Sequence, residues 1–192
     1  MSTQAVPYLT PEQYLELERA ADFRSEYLAG AMYAMAGASL NHANIVIAIG
    51  AEIFPGLRGR DCAVVATDMR LAVPRNNLIT YPDVFVTCGP KQFFGNRRDT
   101  LADATLIVEV LSPSTKNYDY GEKFRSYRAL PSFREYLLFS QDEIRAEQHI
   151  RQADGAWLMR EYTSLTDEIE LVSIGCRVRL DVVYERVEFE AE

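Results

Sequence analysis

One residue constrains this chain more than any other: Glu109, at the centre of the apolar run Leu106-Ile107-Val108-Glu109-Val110-Leu111. A run of large aliphatics rich in Val and Ile reads as a strand buried on both faces. A lone carboxylate there is costly unless a cation or hydrogen-bond donors compensate it, so a positive group is expected beside it. Asp83, in Tyr81-Pro82-Asp83-Val84-Phe85-Val86, is a second acid in a strand-like run. Downstream, Ser112-Pro113-Ser114-Thr115 stop the Glu109 strand. Asp119, Lys123 and Tyr127 then follow at intervals of four, which places all three on one face of a helix.

The composition, 48% hydrophobic and 25% charged over 192 residues, is that of an ordinary globular protein, read most simply as one domain over residues 1–192. Residues 1–14 lack a basic segment followed by an apolar core, and no apolar run approaches the ~20 residues of a membrane span. A cytoplasmic protein without a membrane partner is expected. Cys62, Cys88 and Cys176 are far apart in apolar surroundings with no C-x-x-C pair, so they read as reduced core residues rather than as disulfide or zinc ligands. The net charge of −8 argues against a nucleic-acid coat protein, yet residues 91–134 carry eight basic against five acidic side chains. Lys91, Arg97, Arg98, Lys116, Lys123, Arg125, Arg128 and Arg134 are either phosphate contacts or a solvated face.

Thr10, Pro11 and Gln13 form a helix-start signature, with the helix running to about Ala20. Residues 23–35 read as a hairpin around Ala29-Gly30, in which Glu26 is either a surface residue or an acid leaning toward the site. From Ser39 to Leu57, Ile45, Ile49, Ile53 and Leu57 recur every four residues, an amphipathic helix with His42 in its first turn. Such a histidine is a surface or hydrogen-bonded residue, or a titrating group of the site. Strands follow at Cys62–Val65, Met69–Val73 and around Asp83; a polar loop spans 89–102; a helix runs from about Tyr120 to Leu130; and strands follow at Glu135–Ser140, 145–151, 157–162 and within 169–180. This order gives a mixed α/β or α+β domain.

Two carboxylates on neighbouring strands with a lysine nearby fit a structural ion cluster, an acid pair working on a sugar, or a divalent metal site. The metal fits best, because Mg²⁺ takes hard oxygen ligands and is commonly held by one or two carboxylates plus substrate phosphate. Nucleotide-binding glycine loops, H-E-x-x-H and G-x-S-x-G are absent from the sequence.

Pro82-Asp83 followed by Glu109 resembles the PD-(D/E)XK nuclease superfamily. The series Glu109-Val110-Leu111-Ser112-Pro113-Ser114-Thr115, Asp119, Lys123, Tyr127 and Glu135-Tyr136, with Glu26-Tyr27-Leu28-Ala29-Gly30 and His42 upstream, resembles one branch of it, the restriction-endonuclease family expanded in photosynthetic bacteria. The resemblance implies a restriction-endonuclease-like αβββαβ core with added β-hairpins. It further implies that Asp83, Glu109 and the Val110 carbonyl bind Mg²⁺, for which Mn²⁺ substitutes. The superfamily's lysine stands two residues after the acid, where this chain has Leu111; Lys123 on the following helix takes that role by inference. Asp119 and Tyr127 brace the lysine or contact DNA, and Ser112 and Ser114 donate to phosphate or cap the helix. The expected function is a Mg²⁺-dependent endonuclease acting on DNA as a homodimer. The alternative is a catalytically silent nuclease-like domain that binds nucleic acid or protein.

Overall fold

The computed structural model describes residues 8–66 and 68–189. The first helix, α1 (Pro11–Ala20), starts on a reciprocal cap: Gln13 N–H donates to the Thr10 hydroxyl and Thr10 N–H to Gln13 Oε1. The hairpin β1 (Ser25–Leu28) and β2 (Ala31–Ala34) turns through Ala29 and Gly30, both in the positive-φ region that suits a tight hairpin. Helix α2 (Leu40–Gly56) is capped by Ser39. There follow β3 (Cys62–Ala66), β4 (Arg70–Val73), a 3₁₀ turn at Pro74–Asn76, β5 (Leu78–Thr80), β6 (Val84–Cys88), β7 (Thr100–Leu101) and β8 (Leu106–Leu111). Helix α3 spans 116–127 and contains a π turn over Asp119–Lys123. The chain continues through β9 (Glu135–Ser140), β10 (Ala146–Arg151), β11 (Trp157–Tyr162), β12 (Glu168–Leu171), β13 (Cys176–Arg179) and α4 (Leu180–Val183).

The principal sheet has the order β11-β10-β9-β8-β6-β3. Only β8 and β9 are parallel in it, which requires a crossover, and α3 supplies it. The αβββαβ core is thus α2, β3, β6, β8, α3 and β9. A second sheet, β2-β1-β5-β4-β7, packs beside α3. Side chains alternate along β8. Leu106, Val108 and Val110 enter the core with α2, while Ile107 and Leu111 face Tyr127 of α3 and the second sheet. Glu109 shares that second face. Its direction toward α3 is therefore fixed by strand parity.

Three sequence expectations are corrected here. Asp83 is not inside a strand: Tyr81-Pro82-Asp83 links β5 to β6 as the chain passes from one sheet to the other, a place where proline's missing N–H is tolerated. Helix α3 begins at Lys116 and ends at Tyr127. Cys62 and Cys88 are not free thiols. Antiparallel pairing of β3 with β6 sets them opposite each other with Cα atoms 4.0 Å apart, and they form a disulfide. Cys176 is free and buried. The 89–102 loop is partly anchored, with β7 on β4 and a bridge from Phe93 to Leu101.

Candidate active site

Val84 pairs with Val108 in the antiparallel β6–β8 ladder, so extending that register by one step sets Asp83 opposite Glu109. The Asp83 N–H faces Glu109 Oε2 at 3.4 Å, and Asp83 Oδ2 accepts from Val110 N–H at 2.7 Å. Val110 is thus at the site through its amide. Asp83 Oδ1 lies 2.9 Å from His42 Nε2, which the cap at Ser39 brings in on the first turn of α2.

The cation expected beside Glu109 is Lys123. Its Nζ is 3.2 Å from each of Glu109 Oε1, Glu26 Oε1 and Asp119 Oδ1. Tyr127 completes the cluster by donating to Glu109 Oε1 at 2.7 Å. Asp119, Lys123 and Tyr127 converge because the four-residue spacing holds through the π turn; turns of that kind are rare and recur at functional sites. Glu26 leans toward the site. Pairing of Tyr27 with Ile79 brings Thr80 alongside it, and the Thr80 hydroxyl donates to Glu26 Oε1. The Ser112 hydroxyl accepts from Thr115 N–H and lies 3.0 Å from those of Ser114 and Thr115, a local turn that precedes α3.

Burial works against the Lys123 ammonium, but the carboxylates of Glu109, Glu26 and Asp119 outweigh it, and its pKa is held well above the ordinary lysine value. Burial raises the Glu109 carboxyl well above its usual range against the pull of Lys123, and Asp119 and Asp83 add to the rise. Burial also raises Asp119.

These groups line a groove of about 520 Å³. Its lining includes five acids, Glu26, Asp68, Asp83, Glu109 and Asp119, against two cations, Arg24 and Lys123. Of the eight basic residues in the 91–134 segment, Lys123 alone lines it. Lys116 borders an adjoining hollow of about 210 Å³ that shares Ser112 with the groove and also includes Arg145. Sequence reasoning missed Arg24, Asp68, Thr80 and Tyr118, whose ring centroid is 5.5 Å from Lys123 Nζ. The spacing rule that singled out Asp119 does not reach its neighbour Tyr118, and Thr80 is placed by a sheet register.

Among the described residues no three His, Cys, Asp or Glu side chains are disposed as a metal cage. Asp83 and Glu109 nevertheless offer two adjacent hard-oxygen groups on an open groove, a donor set that fits an ion keeping several waters.

The family model described as "Putative restriction endonuclease", Uma2, matches residues 11–182. Two Synechocystis proteins are similar to the chain. Uncharacterized protein slr1290 is 37% identical over 185 residues, 95% of each chain, and uncharacterized protein sll1609 is 33% identical over 162 residues, 84% of this chain and 92% of that one. In three dimensions the fold matches a crystal structure from Anabaena variabilis, described as a "putative nuclease belonging to DUF820", with a TM-score of 0.75 at 14% identity, covering 94% of this chain and 99% of that chain. Sequence and fold agree: the chain belongs to the Uma2 family and has the restriction-endonuclease-like fold of the PD-(D/E)XK superfamily.

Proposed function

We propose that this protein is a Mg²⁺-dependent endonuclease that hydrolyses phosphodiester bonds in DNA, with Mn²⁺ able to substitute. The observation that carries the reading is the adjacency of Asp83 and Glu109 on an open groove, with the Lys123 ammonium fixed on the second acid. Asp83, Glu109 and the Val110 carbonyl hold the ion in this reading. Bound there, it supplies acidity to a water and stabilises charge on a phosphoryl oxygen.

The remaining work falls to the chain's own groups. Lys123, kept protonated, holds Glu109 in place and presents positive charge toward the scissile phosphate. Glu26 and Asp119 orient Lys123, Tyr127 orients Glu109, and His42 holds Asp83. The excess of acids along the groove repels a phosphate backbone, which favours a cation entering the site with the substrate. Beyond Ser112, Lys116 provides a contact for a flanking phosphate. The descriptions of the family and of the Anabaena protein support the reaction class.

One observation favours the second reading, a silent nuclease-like domain that binds nucleic acid or protein. Lys123 Nζ already lies 3.2 Å from three carboxylates, which compete with a phosphate for its charge. Incubation with plasmid, genomic DNA, single strands and RNA in Mg²⁺ or Mn²⁺ separates the two. The first reading expects cutting of DNA that EDTA and Glu109→Ala both abolish; metal-independent cutting, or no cutting of any substrate, contradicts it.

A further inference from the structure

Two unlike sets of residues line the groove. One is the cluster of acids around Lys123. The other comes from a stretch without charge: between Glu26 and Glu52 the chain has no Asp, Glu, Lys or Arg. Residues 33–40, the end of β2 and its link to α2, are exposed at every position. A protein surface ordinarily intersperses charges, and an exposed apolar stretch beside a groove marks a place where something binds. Met35, Ala36, Gly37 and Ala38 of this stretch line the groove, joined by Ala43 and Ile47 of α2.

Strand parity aims the stretch. Glu26 pairs with Tyr33 across the β1–β2 hairpin, and the Met35 N–H continues the ladder by donating to the Arg24 carbonyl. Residues directly opposite in an antiparallel pair project from the same face. Glu26 reaches Lys123, and Arg24 and Met35 both line the groove. Tyr33 therefore stands on the face that carries Glu26 into the site. It lies on the edge strand of its sheet, and Tyr33 and Met35 are 55% and 39% exposed.

Such a groove is poorly made for intact duplex. Paired DNA turns its phosphates outward and hides the faces of its bases, so duplex binding draws its affinity from Lys and Arg. Both cations that line the groove are engaged, Arg24 with Asp68 and Lys123 with three carboxylates. An uncharged wall offers nothing to a phosphate. An exposed aromatic ring and a thioether do offer a surface to a base whose faces are free.

We propose that the groove takes an unpaired DNA strand, its bases resting on Tyr33 and Met35 and its backbone turned toward Asp83 and Glu109, and that intact duplex is the poorer ligand. A volume of about 520 Å³ falls in the range of small-ligand sites, which suits single nucleotides of an open strand. In naming DNA, this inference rests on the phosphodiester chemistry proposed above.

Fluorescence anisotropy on the full chain tests the strand preference with three labelled oligomers of equal length. They are a single strand, the same strand in a duplex, and an abasic strand that keeps the phosphates and lacks the bases. Ca²⁺ replaces Mg²⁺, salt is held fixed, and a denaturing gel checks that the oligomers stay intact. The single strand is expected to bind at least about tenfold more tightly than either of the others. Tyr33→Ser is expected to weaken its binding about fivefold or more and to leave the abasic strand unaffected, whereas Tyr33→Phe keeps the ring and the wild-type affinity. Met35→Ser, on the same face, is expected to act in the same sense, so that a folding defect in one variant, seen in a thermal melt, does not decide the test. Duplex or abasic strand bound as tightly as the single strand overturns the proposal, as does failure to bind any of the three. Cleavage in Mg²⁺ is scored separately. Single strands bound preferentially and left uncut would uphold the strand preference and overturn the nuclease reading; duplex cut in preference to single strands would overturn the strand preference alone.

Discussion

Two clusters of charge, one partly exposed and one buried, flank the Tyr81-Pro82-Asp83 link and differ in balance. On one side Arg70 and Arg19 meet Asp99 and Glu18. Arg19 grips Asp99 through Nε and Nη2 at 2.7 and 3.0 Å, and Arg70 lies 2.9 Å from Asp99 and donates to the Tyr81 hydroxyl and to Thr100. Tyr81, which burial pushes up to about 12, donates its hydroxyl hydrogen bond to Glu18 Oε1 at 2.8 Å. Two cations face two carboxylates, and the cluster is neutral. On the other side Lys123 alone faces Glu26, Glu109 and Asp119, with Asp83 beside them. The first cluster is complete as it stands, whereas in the second one ammonium is shared among three carboxyl groups beside an open groove. A closed, balanced network reads as structure, and an open, unbalanced one as a place for a cation.

Removing Lys123 should have the largest effect. Lys123→Met leaves three buried carboxylates facing one another, and a urea melt at neutral pH should show a loss of about 3–5 kcal/mol. A loss below about 1 kcal/mol would mean that the acids share protons and need no ammonium. Arg70→Met, the corresponding break in the balanced cluster, should cost less, about 2–3 kcal/mol, because Arg19 still pairs with Asp99. Equal losses from the two variants would erase the distinction between the clusters.

Asp99→Asn should have the smallest effect, and that effect should depend on pH. Hydrogen bonding from Arg19, opposed by partial burial and assisted by Arg70, holds Asp99 below the usual carboxylate range. A depressed folded-state pKa gives stability that is present above the unfolded value of about 3.9 and is lost as pH falls through the folded value. The gap between wild type and Asp99→Asn should therefore be constant above about pH 5 and close in more acidic urea melts. A gap that widens with acid would contradict the assignment.

Much of this was legible in the sequence where the signal was local. The cap at Thr10 and Gln13, the four-residue period of α2, and the convergence of Asp119, Lys123 and Tyr127 all follow from helix geometry. The anomaly of Glu109 demanded a cation, and Lys123 is there. What escaped depended on register between distant segments. The pairing of Cys62 with Cys88 follows from how β3 lies on β6, and the direction of Glu26 from how β1 lies on β5. The π turn has no residue pattern that separates it from an α turn. Basic residues could be counted but not aimed, so the 91–134 segment looked like a phosphate surface although only Lys123 lines the groove, where it is enclosed by acids.

The central claim, that the unbalanced cluster is a cation site, is tested most directly by titrating Mn²⁺ into the wild type and into Glu109→Gln by calorimetry, with urea melts of both. The account predicts saturable binding to the wild type, its loss in the variant, and stabilities within about 1 kcal/mol of each other, since an amide replaces one of several crowded acids at little cost. Absence of binding to the wild type, or binding unchanged by Glu109→Gln, would contradict it.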